Sequence, residues 1–146
     1  MITNLNIKRK RILQTSYDEL NGIISEKAHI KGLTLSYCDT DTTKVTFMLN
    51  ILGLTPSISV KLKVISIEGS RVTLEVSAGK LGDFVLDKAK KFLIEKTPEG
   101  LIESFDDKRA VVNLDAFPDL KPVFETITVN GLFFTEEAVC VDATLK

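Results

Sequence analysis

Apolar and polar positions alternate along most of the chain. Ile58, Val60, Leu62 and Val64 alternate with Ser59, Lys61 and Lys63, the two-residue period of a strand that buries one face. The phase then flips to Ile65 and Ile67, the mark a β-bulge leaves. Glu68-Gly69-Ser70 supplies a turn, and Val72, Leu74, Val76 and Ala78 resume the alternation, so 58–78 reads as a hairpin. Upstream, Leu33, Leu35 and Tyr37 predict one strand, and Val45, Phe47, Leu49 and Ile51 another. The loop 39–43 joins these two, and Gly53-Leu54-Thr55-Pro56 leads onward. Four consecutive antiparallel strands in a meander follow from this spacing.

The C-terminal third predicts three more strands. Val112, Leu114 and Ala116 alternate, and Val123, Ile127 and Val129 do so with Glu125 breaking the pattern. Asn130-Gly131 is a strong hairpin signal, because both residues tolerate positive φ. Val139, Val141, Ala143 and Leu145 share one face of the last strand, with Cys140, Asp142 and Thr144 on the other.

Helical spacing is confined to short stretches. Ser16 and Glu19 stand at capping-box separation, and Tyr17, Leu20, Ile24 and Ala28 then share a face with Ile23 beside them. The stretch 5–13 before this helix reads as a short edge strand. A second helix is predicted from Asp83, a good N-cap, to Lys96, anchored by Leu86, Ala89, Phe92 and Leu93. Pro98 opens a further short helix carrying Leu101, Ile102 and Phe105. The expected architecture is one α+β domain over 1–146: an antiparallel sheet of six to seven strands, a central helix and an N-terminal helix.

Composition narrows the function classes. Val, Ile and Thr number 39 of 146 residues, in keeping with a chain dominated by strands. Lys plus Arg number 19 against 20 Asp plus Glu, which removes the electrostatic footprint of a nucleic-acid binder. No apolar run reaches the roughly 20 residues of a membrane-spanning helix. The basic run 8–11 is followed by only Ile12-Leu13 before Gln14, so no signal peptide is read and a cytoplasmic location is expected for the chain as it stands. An export segment missing from the N-terminus makes the protein an exported one instead. The run itself reads as a solvated terminus, with anionic lipid or a partner as the alternative.

Residues able to carry chemistry are sparse. His29, the one histidine, falls at the exit of the first helix, where an imidazole meets the helix C-terminus. Asp39 and Asp41 read as a hairpin tip rather than a cation site, and Asp106-Asp107 and Glu136-Glu137 as exposed turns. Gly79-Lys80-Leu81-Gly82-Asp83 lacks the glycine spacing of a dinucleotide fingerprint and reads as a tight strand-to-helix connection. Cys38 and Cys140 lack metal or redox spacing and read as small buried apolar residues, a bridge requiring their strands to pair. No catalytic residue, metal site or cofactor is predicted.

The second helix is apolar beyond one narrow stripe, with Phe84, Val85, Leu86, Ala89, Phe92, Leu93 and Ile94. Such a helix is buried, or borders an apolar groove. Tyr17-Asp18-Glu19-Leu20-Asn21, Lys31-Gly32-Leu33, the 58–78 hairpin turning at Glu68-Gly69, Gly79 to Asp83 leading into the helix, and Val129-Asn130-Gly131-Leu132 together resemble small bacterial lipid-binding-like proteins of the tubular (TULIP-type) superfamily. The resemblance implies a long, strongly bent antiparallel sheet wrapped around the helix, with an apolar groove for acyl chains. The expected function is non-enzymatic binding of a lipid or other apolar ligand, with Phe84 and Phe92 lining the groove. The alternative is an interaction domain that pairs with another protein and holds no small molecule.

Overall fold

A computed structural model of the protein describes residues 10–26, 32–78, 82–117 and 120–146; the side chains of Lys10, Arg11 and Asp83 are excepted. Lys8, Arg9, His29 and the Gly79-Lys80-Leu81 connection lie outside the described residues. The elements are β1 (Lys10–Ser16), α1 (Tyr17–Glu26), β2 (Thr34–Asp39), β3 (Thr42–Met48), β4 (Ser57–Glu68), β5 (Arg71–Ser77) and α2 (Gly82–Lys96). They continue with β6 (Ile102–Asp106), β7 (Arg109–Asn113), α3 (Lys121–Thr126), β8 (Ile127–Phe134) and β9 (Ala138–Leu145).

The nine strands among the described residues form two antiparallel sheets rather than one sheet of six or seven strands. The larger has the order β2-β3-β4-β5-β7-β6, the smaller β1-β9-β8. The predicted meander is present as β2 to β5, with Val45 opposite Val60 and Leu62 opposite Val76. The bulge read from the phase flip is also present: register shifts between Val64 and Ser66, leaving Ile65 38% exposed.

The core lies between the larger sheet and α2. Val45, Phe47, Ile58, Val60 and Val76 on the sheet pack with Leu86, Ala89 and Leu93 on the helix. Phe47 and Phe92 stack at 4.7 Å with an interplanar angle of 6°. The opposite sheet face carries Lys44, Thr46, Ser59 and Lys61, with Thr46 and Ser59 hydroxyls hydrogen-bonded at 2.9 Å. Helix α2 is not apolar all round in its packing: Leu86, Ala89 and Leu93 are buried, whereas Phe84 and Ile94 are half exposed or more.

Helix α1 begins as the capping pattern predicts, with Glu19 N–H donating to Ser16 Oγ at 3.1 Å. Its Asn21 binds the outer edge of β2 twice: the amide donates to the Leu35 carbonyl at 3.0 Å, and Leu35 N–H donates to Asn21 Oδ1 at 2.8 Å. Of the edge strand expected over 5–13, residues 5–9 lie outside the described residues; 10–13 belong to β1, which runs to Ser16 and pairs with β9.

Three expectations are corrected downstream. The helix at Pro98 is a turn, closed by Leu101 N–H on the Pro98 carbonyl at 3.1 Å; Gly100 at φ 85° ends it, and Ile102 begins a strand. The strand through Leu114 and Ala116 stops at Asn113, whose side chain accepts from Asp115 N–H and caps a 3-10 turn over Leu114–Ala116. The strand through Val123 is instead helix α3, opened by Pro122 in its first turn.

Candidate apolar cavity

A cavity of about 250 Å³ lies where the smaller sheet meets the far end of the β4–β5 hairpin. Its floor is a cross-strand row, Leu13 on β1 opposite Val141 on β9, and Val141 opposite Leu132 on β8. Val129 and Ile127 extend this floor along β8. The facing wall is Ile67 and Val72, which pair across the β4–β5 ladder, with Gly69 at the turn between them. Leu114, Leu120 and the α3 residues Val123 and Phe124 close the end.

Two bulges give the cavity its apolar lining. Successive strand residues face opposite ways, so Val129 and Leu132, three apart, would ordinarily lie on opposite faces. The register shift between Val129 and Gly131 resets the phase and turns both toward the cavity. Asn130-Gly131 is therefore a bulge inside β8, not the hairpin turn its residue types predict; the chain reverses at 135–137 instead. Asn130 Nδ2 fixes the bulge by donating to Thr144 Oγ1 at 2.7 Å. In β4 the bulge at Ile65 likewise puts Ile67 on the same side as Val72.

A polar cluster holds the rim. Ser70 Oγ lies 2.9 Å from Asn113 Oδ1 and 3.0 Å from Asp115 Oδ2, so its one proton is shared between two acceptors. Leu114 N–H donates to the Ser70 carbonyl at 2.9 Å. Gly69 and Leu114 thus face the cavity while their neighbours Ser70 and Asp115 tie turn to turn on its polar side. Asn113 Nδ2 also donates to Glu103, which accepts from Arg71 Nε at 2.9 and 3.1 Å. The hydrogen bond from Arg71 holds the Glu103 carboxyl below the usual carboxylate range, and the same contact raises the Arg71 guanidinium. Asp115 Oδ1 is buried without a partner among the described residues.

Helix α3 is pinned from the chain's last residue. Lys146 Nζ donates to the Phe124 carbonyl at 2.9 Å, and Lys146 N–H to the Thr126 carbonyl at 2.9 Å. These bonds occupy carbonyls that a six-residue helix leaves free.

The two sequence-predicted groove residues are placed differently. Phe92 lies against Phe47 in the core, and Phe84 is 58% exposed with the Lys88 ammonium 5.8 Å from its ring centre. Eight residues advance a helix by two turns and about 80° more, enough to carry one ring inward and the other out. Neither lines the cavity. The cavity residues of β1, β4, β5, β8 and β9 were visible as strand positions, but α3 was masked by the apparent alternation of Val123, Ile127 and Val129.

Cys140 is buried and Cys38 half-buried, both as free thiols; they stand in different sheets. Burial raises the Tyr17 phenol, with Tyr37 and Cys140 adding to the effect, and its hydroxyl donates to the Thr135 carbonyl at 3.0 Å. Among the described residues there is no cluster of three His, Cys, Asp or Glu side chains able to hold a metal. No described helix is long and apolar enough to cross a membrane. No family model matches the chain, and no curated protein or solved structure matches it either.

Proposed function

We propose that the chain is a non-enzymatic binding module that takes a lipid tail or another apolar molecule into the cavity between its two sheets. The observation that carries this reading is the lining: eleven apolar side chains and Gly69, with no polar side chain among them. An apolar cavity of about 150 Å³ stays dry and accepts benzene. At about 250 Å³, this one suits a short acyl segment or a compact apolar molecule. Binding would draw on apolar surface leaving water, about 25 cal/mol per Å².

This reading keeps the ligand class that the TULIP-type resemblance implies and moves its seat from α2 to the β8–α3 end. A strong bend of the larger sheet around α2 belongs to the same proposal. Its support is the length of β4, whose twelve residues carry a bulge and pack against both α2 and the smaller sheet.

The test is mass spectrometry of the purified chain, native and then after solvent extraction, followed by uptake of medium-chain fatty acids by the stripped protein. A stoichiometric apolar molecule, or saturable uptake at one site, is expected. An empty protein that takes up nothing overturns the proposal. Phe84→Asp separates the two seats: capture is unchanged if the ligand lies in the cavity, and falls if it lies along α2.

A further inference from the structure

From 45 to 60 the chain runs sixteen residues without Asp, Glu, Lys, Arg or His, although 27% of the whole is charged. This stretch is the end of β3, the start of β4 and the tight hairpin between them. At its tip Ile51 N–H donates to the Leu54 carbonyl at 2.7 Å, and Leu54 N–H to that of Ile51 at 3.0 Å. Leu52 and Gly53 are the two loop residues, at φ 53° and 84°. Turns of this shape ordinarily carry Asn-Gly. A leucine is disfavoured in the left-handed region, and here it gains no burial in exchange. Leu52 is 92% exposed, Leu54 72% and Met48 61%.

Three features point to a lipid surface as what this tip meets. Three side chains on a protruding turn fall well short of the roughly 1,200 Å² a stable protein interface buries, whereas a bilayer interface accepts a small apolar tip of any shape. The tip also pairs much of its own backbone: besides the Ile51–Leu54 pair, Gly53 N–H donates to Asn50 Oδ1 at 3.2 Å and Leu49 N–H to the Pro56 carbonyl at 3.1 Å. Amides with internal partners enter a medium of low polarity at little cost. The first charges on either strand are Lys44 and Lys61, opposite each other in register and of the sign that anionic headgroups attract.

We propose that the 51–54 tip, with Met48 behind it, dips into the interface of an anionic bilayer and holds the domain there reversibly. The tip stands at the Ser57 end of β4 and the cavity at the Glu68 end, about 35–40 Å along the strand. The two proposals therefore fail separately.

The chain contains no tryptophan, so Leu52→Trp installs a single reporter. Mixed phosphatidylcholine–phosphatidylglycerol vesicles are expected to shift its emission to the blue and to sediment the unmodified chain. Leu52→Asn suits the left-handed backbone better, so it should melt higher while partitioning about twentyfold more weakly. No blue shift, or equal partition of the Asn variant, overturns the proposal. So does a concentration-dependent oligomer that Leu52→Asn abolishes in a chain that ignores vesicles, which would make the tip a protein contact.

Discussion

Val141→Phe is expected to stabilise the protein and to abolish ligand capture, two effects that ordinarily oppose each other. Val141 is the middle of the Leu13–Val141–Leu132 row that floors the cavity, so a longer side chain there grows into empty space. Phenylalanine adds four carbons, a ceiling of about 3 kcal/mol at about 0.8 kcal/mol per buried carbon. Rearrangement of the neighbours offsets about half of that. A net gain of about 1.5 kcal/mol corresponds to about 3–6 °C in Tm for a domain of this size. Thermal unfolding by circular dichroism, with and without a medium-chain fatty acid, reads both effects. The unmodified chain should melt higher when ligand is present at a large excess over Kd, by about 2.7 kcal/mol at a hundredfold excess. The variant should start higher and ignore the ligand. A variant that melts lower and still responds to ligand would refute the assignment of this space as the ligand's seat. Ile67→Ala, which enlarges the same space, is expected to lose about 2–4 kcal/mol and to regain much of it when ligand is added.

Phe92→Ala should cost about 2–3 kcal/mol, less than a fully buried phenylalanine because the ring is half-buried, measured by urea unfolding with an unchanged m-value. Glu103 has a depressed folded-state pKa, so its contribution is present above the ordinary carboxylate range and is lost as pH falls through the folded value. Glu103→Gln should remove that segment of the pH–Tm profile, and because Arg71 and Glu103 meet in solvent the difference should shrink in high salt.

Much of the larger sheet was legible because its strands alternate cleanly with one face toward α2. Ile58 to Val64 and Val72 to Val76 bury every second residue to some degree, so period and burial coincide and even the bulge at Ile65 shows as a phase error. The smaller sheet and α3 were harder to read for the reason that makes the cavity. Asn130-Gly131 has turn chemistry but is held in a ladder by pairing with β9, a tertiary contact that no local signal carries. Val123 and Ile127 stand four apart, a spacing that strand and helix share, and only Pro122 tips it toward a helix start. The predicted groove failed to gather its residues for a simpler reason: the eight-residue spacing of Phe84 and Phe92 does not keep one helical face.

The two hydrogen bonds from Asn21 to Leu35 reach beyond the docking of α1. Leu35 belongs to the outermost strand of the larger sheet, and its outward N–H and carbonyl are the groups an incoming strand from another molecule would need. The carboxamide imitates one residue of that strand and occupies the position. Growth of the sheet is thereby blocked on the β2 side, while on the β6 side the shifted register between Ile102 and Ser104 interrupts a regular template. Whenever α1 frays, the guard leaves with it, and the β2 edge, Thr34–Asp39 beside an apolar core, becomes available for fibril-like pairing. The lifetime of one short helix then governs how long concentrated protein stays monodisperse.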